Sequence, residues 1–128
     1  MSSNFIWMAV AAGGAIGAMA RHGVSRVSLH LLGPNFPWGT LAANITGSFA
    51  MGLVIIWLTA REPNSPALRA FLTVGLLGAF TTFSAFSLDV LTLYRDRTMM
   101  IAAAYLGASV ILSVFGLVAG LVIGRQLT

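Results

Sequence analysis

Neutral polar side chains recur at helical spacing in two long uncharged segments of this sequence. The first set is Thr40, Asn44 and Ser48, and the second is Tyr105, Ser109 and Ser113. Residues four apart share one face of a helix, so each set forms a polar stripe. Serine and threonine can bond back to their own helix, but an asparagine amide has two donors that its helix cannot satisfy. Asn44 therefore needs a partner on another helix or a ligand.

The segment "GAFTTFSAFS", residues 78–87, places glycine and hydroxyl groups in the middle of a third apolar run. Gly75 and Gly78, followed by the paired threonines Thr81 and Thr82, weaken a helix there. Backbone carbonyls freed at membrane depth are tolerated only where protein or an ion satisfies them. A ring of such carbonyls would suit a hard monovalent cation, and a kink packed on neighbouring helices is the alternative.

Phe83 and Phe86 are three residues apart and point the same way from this helix. Such residues commonly face lipid or pack on other helices. An aromatic ring is also electropositive at its edge and can present that edge to an anion. Ring edges combined with the Asn44 amide and hydroxyl donors would form an anion pathway without a buried positive charge. A strong fixed charge would hold an ion too tightly for conduction.

The composition indicates that a membrane must position these groups. The chain has 128 residues, of which 58% are hydrophobic and 8% charged, too few polar groups to cover a soluble globular surface. Its uncharged stretches are residues 1–20, 27–60, 70–88 and 98–124. Each reaches the roughly 18 to 20 residues that span a bilayer core. We therefore predict an all-α integral membrane protein with four transmembrane helices in a single domain, residues 1–128.

The predicted helices begin and end at glycine, proline and charged residues. They cover residues 4–21 or slightly beyond, 38–58, 67–94 and 99–124, and the third is broken near its middle. Gly13 and Gly17 form a GxxxG face for close helix packing. Gly116, Gly120 and Gly124 form a second flat stripe on the last helix.

The arginines are nearly balanced between the two sides of the predicted membrane. Arg61, Arg69 and Arg125 lie on the side of the termini, and Arg21, Arg26, Arg95 and Arg97 lie on the other. Orientation normally follows a clear excess of Lys and Arg in the cytoplasmic loops. A count of three against four predicts insertion in both orientations, and chance in a small sample is the alternative. Dual insertion would produce an antiparallel homodimer with its two-fold axis in the membrane plane.

Several function classes are disfavoured by the residue types. The arginines are placed at helix ends, which favours headgroup anchoring over nucleic-acid binding. Cysteine is absent, which removes thiolate metal sites and cysteine nucleophiles. His22 and His30 lie near predicted helix ends without a paired nucleophile, so we predict no enzymatic activity.

Three segments together carry a family resemblance. They are "WGTLAANITGSF" at 38–49, "GLLGAFTTFSAFS" at 75–87 and "YLGAS" at 105–109, accompanied by Arg21 after a glycine-rich first helix. On a four-helix chain of this length, they resemble the Fluc (CrcB) fluoride channels across essentially the whole sequence.

The resemblance implies a passive, fluoride-selective channel in the plasma membrane. Family members are antiparallel dual-topology homodimers with two fluoride pores and a central structural sodium ion. Carried over by motif, the fluoride pore comprises Phe83, Phe86, Asn44, Thr40, Tyr105, Ser109, Thr82 and Ser84. Gly78 and Thr81 would hold sodium through their backbone carbonyls, and Arg21 would lie at the aqueous vestibule. Asp89 receives no role.

Two other classes of membrane protein share some of these features. A small multidrug transporter is also a four-helix dual-topology dimer, but it depends on a glutamate in the first helix, and residues 4–20 contain no acid. A non-transporting scaffold protein would use the glycine faces only for packing. It would not explain two polar stripes together with a hydroxyl-rich break at mid-depth.

Overall fold

The computed structural model describes residues 2–128, which form four helical spans. All four are long and apolar enough to cross a membrane, as predicted. The first two spans are the single helices α1 (Ser3–Leu32) and α2 (Trp38–Ala60), and the fourth is α6 (Met99–Leu127). The third span, Pro66–Asp96, consists of α3 (Pro66–Arg69), a π-helical segment (Ala70–Leu77), α4 (Gly78–Phe80) and α5 (Ser84–Asp96).

Local signals in the sequence set the helix ends. The Thr98 hydroxyl accepts a hydrogen bond from the Ile101 amide at 3.1 Å and caps the start of α6. Ser65 caps α3, with Pro66 in the first turn. α1 ends at Gly33, whose positive φ of 81° favours glycine, and Pro34 follows.

The first helix continues well beyond Arg21. The sequence left its end open, at Arg21 or beyond it, and α1 runs through Leu32. Arg21 therefore lies 11 residues before the end of the helix, about 17 Å along its axis. The prediction that every arginine lies at a helix end is wrong for Arg21, because the helix continues through the charged segment instead of stopping at it.

The predicted break in the third span is confirmed. Helical structure stops at Phe80, and Thr81 takes an extended conformation with φ −88° and ψ 156°. A helix starts again at Ser84. The Thr81 hydroxyl donates to the Leu77 carbonyl at 3.0 Å, as threonine commonly does at a helix end.

The glycines of α1 bring it close to the first half of the third span. A Cβ on Gly13 would lie 2.5 Å from the Phe71 carbonyl oxygen, and one on Gly75 would lie 2.9 Å from the Val10 carbonyl oxygen. A Cβ on Gly17 would collide with the Leu76 carbonyl oxygen. The GxxxG face therefore packs as predicted, backbone against backbone.

α2 and α6 form a second glycine-mediated pair. A Cβ on Gly120 would lie 3.1 Å from the Gly52 Cα and would collide with the Phe49 carbonyl oxygen. A Cβ on Gly116 would lie 3.2 Å from the Ile45 carbonyl oxygen. The predicted glycine stripe of the last helix is thus the face that contacts α2.

The second half of the third span packs on α6 through larger side chains. The buried cluster consists of Phe86, Leu93, Ala102 and Tyr105. Tyr105 is completely buried in it. The two halves of the third span therefore pack mainly on different helices, the first on α1 and the second on α6.

Candidate functional site

The break in the third span is fixed by the side chain of Asn44. Its Nδ2 donates to the Thr82 carbonyl at 3.0 Å, and its Oδ1 accepts from the Thr82 amide at 2.8 Å. One amide side chain thus pairs with both backbone groups of one residue on another span. This confirms that Asn44 requires a partner outside its own helix, and it leaves one hydrogen of the Asn44 amide for another acceptor.

Backbone carbonyls at the break lose their ordinary helical partners, and those of Gly78 and Thr81 are two of them. In a continuous helix the Thr82 amide would donate to the Gly78 carbonyl, but here it donates to Asn44. The Ala85 amide would donate to the Thr81 carbonyl, but it donates to the Thr82 hydroxyl at 3.1 Å. The carbonyls of Gly78 and Thr81 are therefore among those released at the break.

A cavity of about 390 Å³ opens beside the break, and we name it the break cavity. It is lined by Asn44, Ser48, Gly78, Thr81, Thr82, Phe83, Phe86, Ser109, Val110, Ser113 and Val114. Two members of each predicted polar stripe, Asn44 with Ser48 and Ser109 with Ser113, therefore meet the hydroxyl-rich segment here. No lining residue carries a formal charge, so polarity in this cavity comes from hydroxyl, amide and backbone groups.

The two predicted pore phenylalanines differ in exposure. Phe83 is 78% exposed and Phe86 is 8% exposed, although both line the break cavity. Their ring centroids are 5.6 Å apart, and the ring planes are tilted by 60°. Phe86 is held on its other side by Tyr105, at a centroid distance of 5.5 Å. One ring is thus fixed in the protein interior, and the other projects from the monomer.

Ser109 provides a hydroxyl at the wall of the break cavity. The residue is only 4% exposed, and its Oγ makes no direct hydrogen bond among the described residues, although it interacts with the hydroxyl of Tyr105 one turn earlier on α6. A buried hydroxyl without a close partner favours an incoming hydrogen-bond acceptor.

A second cavity, about 580 Å³ in volume, lies beside the first loop. We name it the loop-one cavity, because Pro34, Asn35, Phe36 and Pro37 of the first loop contribute to its lining. Thr40 and Asp89 also line it, so Thr40 lies in a different cavity from Asn44 and Ser48 of the same stripe.

Tyr105 contacts residues of both cavities without lining either one. Its hydroxyl donates to the Asp89 carboxylate at 3.1 Å, on the side of the loop-one cavity. Its ring contacts Phe86 of the break cavity and meets Phe36 edge-on at 5.4 Å.

Three predicted site residues lie outside both cavity linings, namely Tyr105, Ser84 and Arg21. The Ser84 hydroxyl is 3.4 Å from that of Thr82, so Ser84 adjoins the break cavity without lining it. Arg21 is absent from the lining of the loop-one cavity, and its Nε donates instead to the Ala79 carbonyl at 3.2 Å. The guanidinium is therefore close to the break.

No role was predicted for Asp89 from the sequence, and Phe36 was not singled out. An acid one residue beyond the uncharged run 70–88 was the available signal for Asp89. Phe36 lies between two prolines in a loop, and no periodic pattern links it to Tyr105. Its contact depends on how the first loop folds over α5 and α6.

Comparison with known proteins agrees with this arrangement. The model of the family described as CrcB-like protein, Camphor Resistance (CrcB), matches residues 8–121. A protein of Rhodospirillum centenum named fluoride-specific ion channel FluC is 52% identical over 124 residues, covering 92% of this chain and 94% of its own. A protein of the same name from Mesorhizobium japonicum is 49% identical, covering 96% and 98%. Another, from Agrobacterium fabrum, is 48% identical, covering 92% and 94%. With its four spans and most of its length matched, the chain belongs to the CrcB family.

Proposed function

We propose that the chain is a passive, fluoride-selective channel of the cell membrane that lets cytoplasmic fluoride leave down its electrochemical gradient. The observation that carries the proposal is the break cavity, where neutral hydrogen-bond donors and phenylalanine rings converge at a break in a membrane span. The names of the relatives, each called a fluoride-specific ion channel, support the same ion.

The break cavity offers the contacts that a strongly hydrated small anion needs. The second hydrogen of the Asn44 amide and the hydroxyl of Ser109 replace water as donors. The ring edges of Phe83 and Phe86 add weak electropositive contacts. Since the lining carries no formal charge, each site holds the ion loosely enough to release it. Thr40, Tyr105 and the hydroxyls of Thr82 and Ser84 extend this set of polar groups.

The driving force requires no coupled ion and no catalytic step. Hydrogen fluoride enters cells from acidic surroundings, ionises near neutral pH and is trapped as the anion. An inside-negative potential contributes about 2.3 kcal/mol per 100 mV to moving one charge outward. An open fluoride path is therefore sufficient for export.

We expect purified protein in potassium fluoride-loaded liposomes to release fluoride rapidly when valinomycin sets the potential. Chloride-loaded liposomes should release chloride no faster than protein-free liposomes, because the donors are matched to a small anion. A fluoride electrode and a chloride electrode measure the two rates. Equal rates, or no fluoride release from folded protein, would exclude the proposed function.

Replacing either phenylalanine with isoleucine should slow fluoride efflux about tenfold while leaving the oligomer intact. A ring-edge contact contributes roughly 0.5–1.5 kcal/mol, and about 1.4 kcal/mol corresponds to a factor of ten in rate. Phe83→Ile and Phe86→Ile are compared in the same liposome assay. Phe5→Ile is the matched control, since Phe5 lies in the first turn of α1 and lines neither cavity. Normal efflux through both pore variants would refute the ring-edge mechanism.

We infer that the channel is an antiparallel homodimer with two pores. Phe83 is 78% exposed although it lines the break cavity, so a second copy would complete the wall on that side. The break lies near the middle of its span, and in an antiparallel dimer residues at mid-depth can meet their own copies across the two-fold axis. With Arg21 located at the break, Arg61, Arg69 and Arg125 balance Arg26, Arg95 and Arg97, three against three. This balance supports insertion in both orientations.

Cysteine labelling at both ends of the spans tests dual insertion. The chain has no cysteine, and Asn35→Cys and Gln126→Cys change no charge at two exposed positions on opposite ends. In sealed vesicles, a membrane-impermeant maleimide should label about half of each variant from outside, because the arginine balance favours neither orientation. Full labelling of one variant and none of the other would establish a single orientation.

We propose that a structural sodium ion lies at the centre of this dimer. The carbonyls of Gly78 and Thr81 are released from helical bonding at the break, and oxygen ligands suit hard cations. The described residues contain no cluster of His, Cys, Asp or Glu that could hold a metal, so backbone oxygens are the available ligands. Two copies would supply four such carbonyls.

Sodium should raise the thermal stability of the detergent-solubilised protein relative to N-methylglucamine at equal ionic strength. An ion that binds only the folded dimer stabilises it by about 2.7 kcal/mol when its concentration is roughly one hundred times its Kd. Differential scanning fluorimetry measures the shift, with choline as a second control cation. Identical melting temperatures in all three salts would contradict the sodium site.

A further inference from the structure

Three residues of α1, spaced four apart, contact the first half of the third span in succession. Gly13 and Gly17 meet the backbone of the π-helical segment so closely that a Cβ would collide. Arg21 continues the same face and reaches the Ala79 carbonyl of α4. The glycines bring the two backbones together, and this close approach places the guanidinium at the break.

The Ala79 carbonyl is a suitable acceptor for this arginine. In a continuous helix the Phe83 amide would donate to the Ala79 carbonyl. Phe83 lies between α4 and α5, and among the described residues its amide donates to no backbone carbonyl. Ala79 is also in the last turn of the helical stretch 66–80, where the helix dipole favours a positive charge. The 3.2 Å bond from Arg21 Nε therefore satisfies a carbonyl that the break has exposed.

Arg21 has no acidic partner to explain its position. In the part of the chain that the structure describes, the ion pair is formed by Arg69 and Glu62, which lie at the second loop and not beside Arg21. Ionisable groups within a span are costly unless paired or hydrogen-bonded. Bonding to a carbonyl at the break is the interaction that stabilises Arg21 here.

The break is thus held from two sides. Arg21 on α1 bonds the carbonyl of Ala79 just before the break, and Asn44 on α2 bonds both backbone groups of Thr82 just after it. Between these two anchors lie Phe80 and Thr81, whose side chains lie against Gly47 of α2. The direction of the released carbonyls and of the cavity wall depends on both anchors.

We propose that Arg21 is a positioning residue that fixes the end of α4 and thereby the shape of the fluoride path, instead of acting mainly as a charge that attracts anions at the vestibule. The inference rests on the proposed fluoride conduction for its rate measurement. It does not rest on conduction for its structural measurement. The response to salt distinguishes the two roles of Arg21. A diffuse attraction between the guanidinium and an anion is screened by salt, whereas a short hydrogen bond in a half-buried site is not.

The decisive variant is Arg21→Gln. Its fluoride efflux is measured in about 0.1 M and about 1 M of an impermeant salt, where charges are screened over roughly 10 Å and 3 Å. We expect fluoride efflux to fall about tenfold or more at both concentrations, the effect of losing one charge-assisted hydrogen bond. Arg26→Gln removes the same charge five residues further along α1 from an exposed position, and it should change efflux less than about twofold.

Hydrogen–deuterium exchange of the folded protein provides the second readout. Amides of residues 79–85 should exchange faster in Arg21→Gln than in the parent or in Arg26→Gln, since the anchor before the break is lost. A difference in efflux between Arg21→Gln and the parent that disappears at high salt, or unchanged exchange at the break, would overturn the proposal. If Arg21→Gln gives no folded protein, Arg21→Lys replaces it, because lysine keeps the charge without the guanidinium geometry. Slower efflux at both salt concentrations and faster exchange of residues 79–85 would then support the positioning role, and parent values in both would overturn it. An inactive parent protein would refute fluoride conduction, while the exchange comparison would still test the role of Arg21.

Discussion

The structure depends on one constraint, that backbone polar groups at membrane depth must find partners. A break in the third span exposes such groups where water is scarce. The side chain of Asn44 satisfies the amide and the carbonyl of Thr82 together, at 2.8 and 3.0 Å. By taking that amide it releases the Gly78 carbonyl. The break is therefore stabilised and made available to a ligand by the same two hydrogen bonds.

The donors that remain once the break is satisfied are all neutral, and this shapes the site. The Thr81 hydroxyl donates to the Leu77 carbonyl, whereas the Thr82 hydroxyl accepts from the Ala85 amide and keeps its own hydrogen. The cavity wall also carries one hydrogen of the Asn44 amide and the hydroxyls of Ser48, Ser109 and Ser113. Neutral donors bind an anion more weakly than a fixed charge does, and weak binding is what rapid passage requires.

The sequence predicted the features that arise from short-range patterns. Apolar run lengths indicated four spans, four-residue glycine spacing indicated the packing faces, and the two unsatisfied donors of Asn44 indicated an interhelical partner. The end of α1 was not predicted from the sequence. Arg21 and Arg26 interrupt the uncharged run from which the span was inferred, although the helix continues through both residues. The contacts of Arg21 with Ala79 and of Phe36 with Tyr105 join distant parts of the chain. Such contacts depend on the packed fold and leave no periodic signal.

The division of the third span between two packing units explains why it breaks instead of merely bending. Its first half is bound to α1 through glycine contacts, and its second half is bound to α6 through the cluster around Phe86 and Tyr105. Each half takes its direction from a different neighbour, so a single straight helix cannot satisfy both. α2 lies beside the junction, and its Asn44 bridges the gap. The polar groups of the site are thus concentrated at the one depth where two differently oriented halves must be joined.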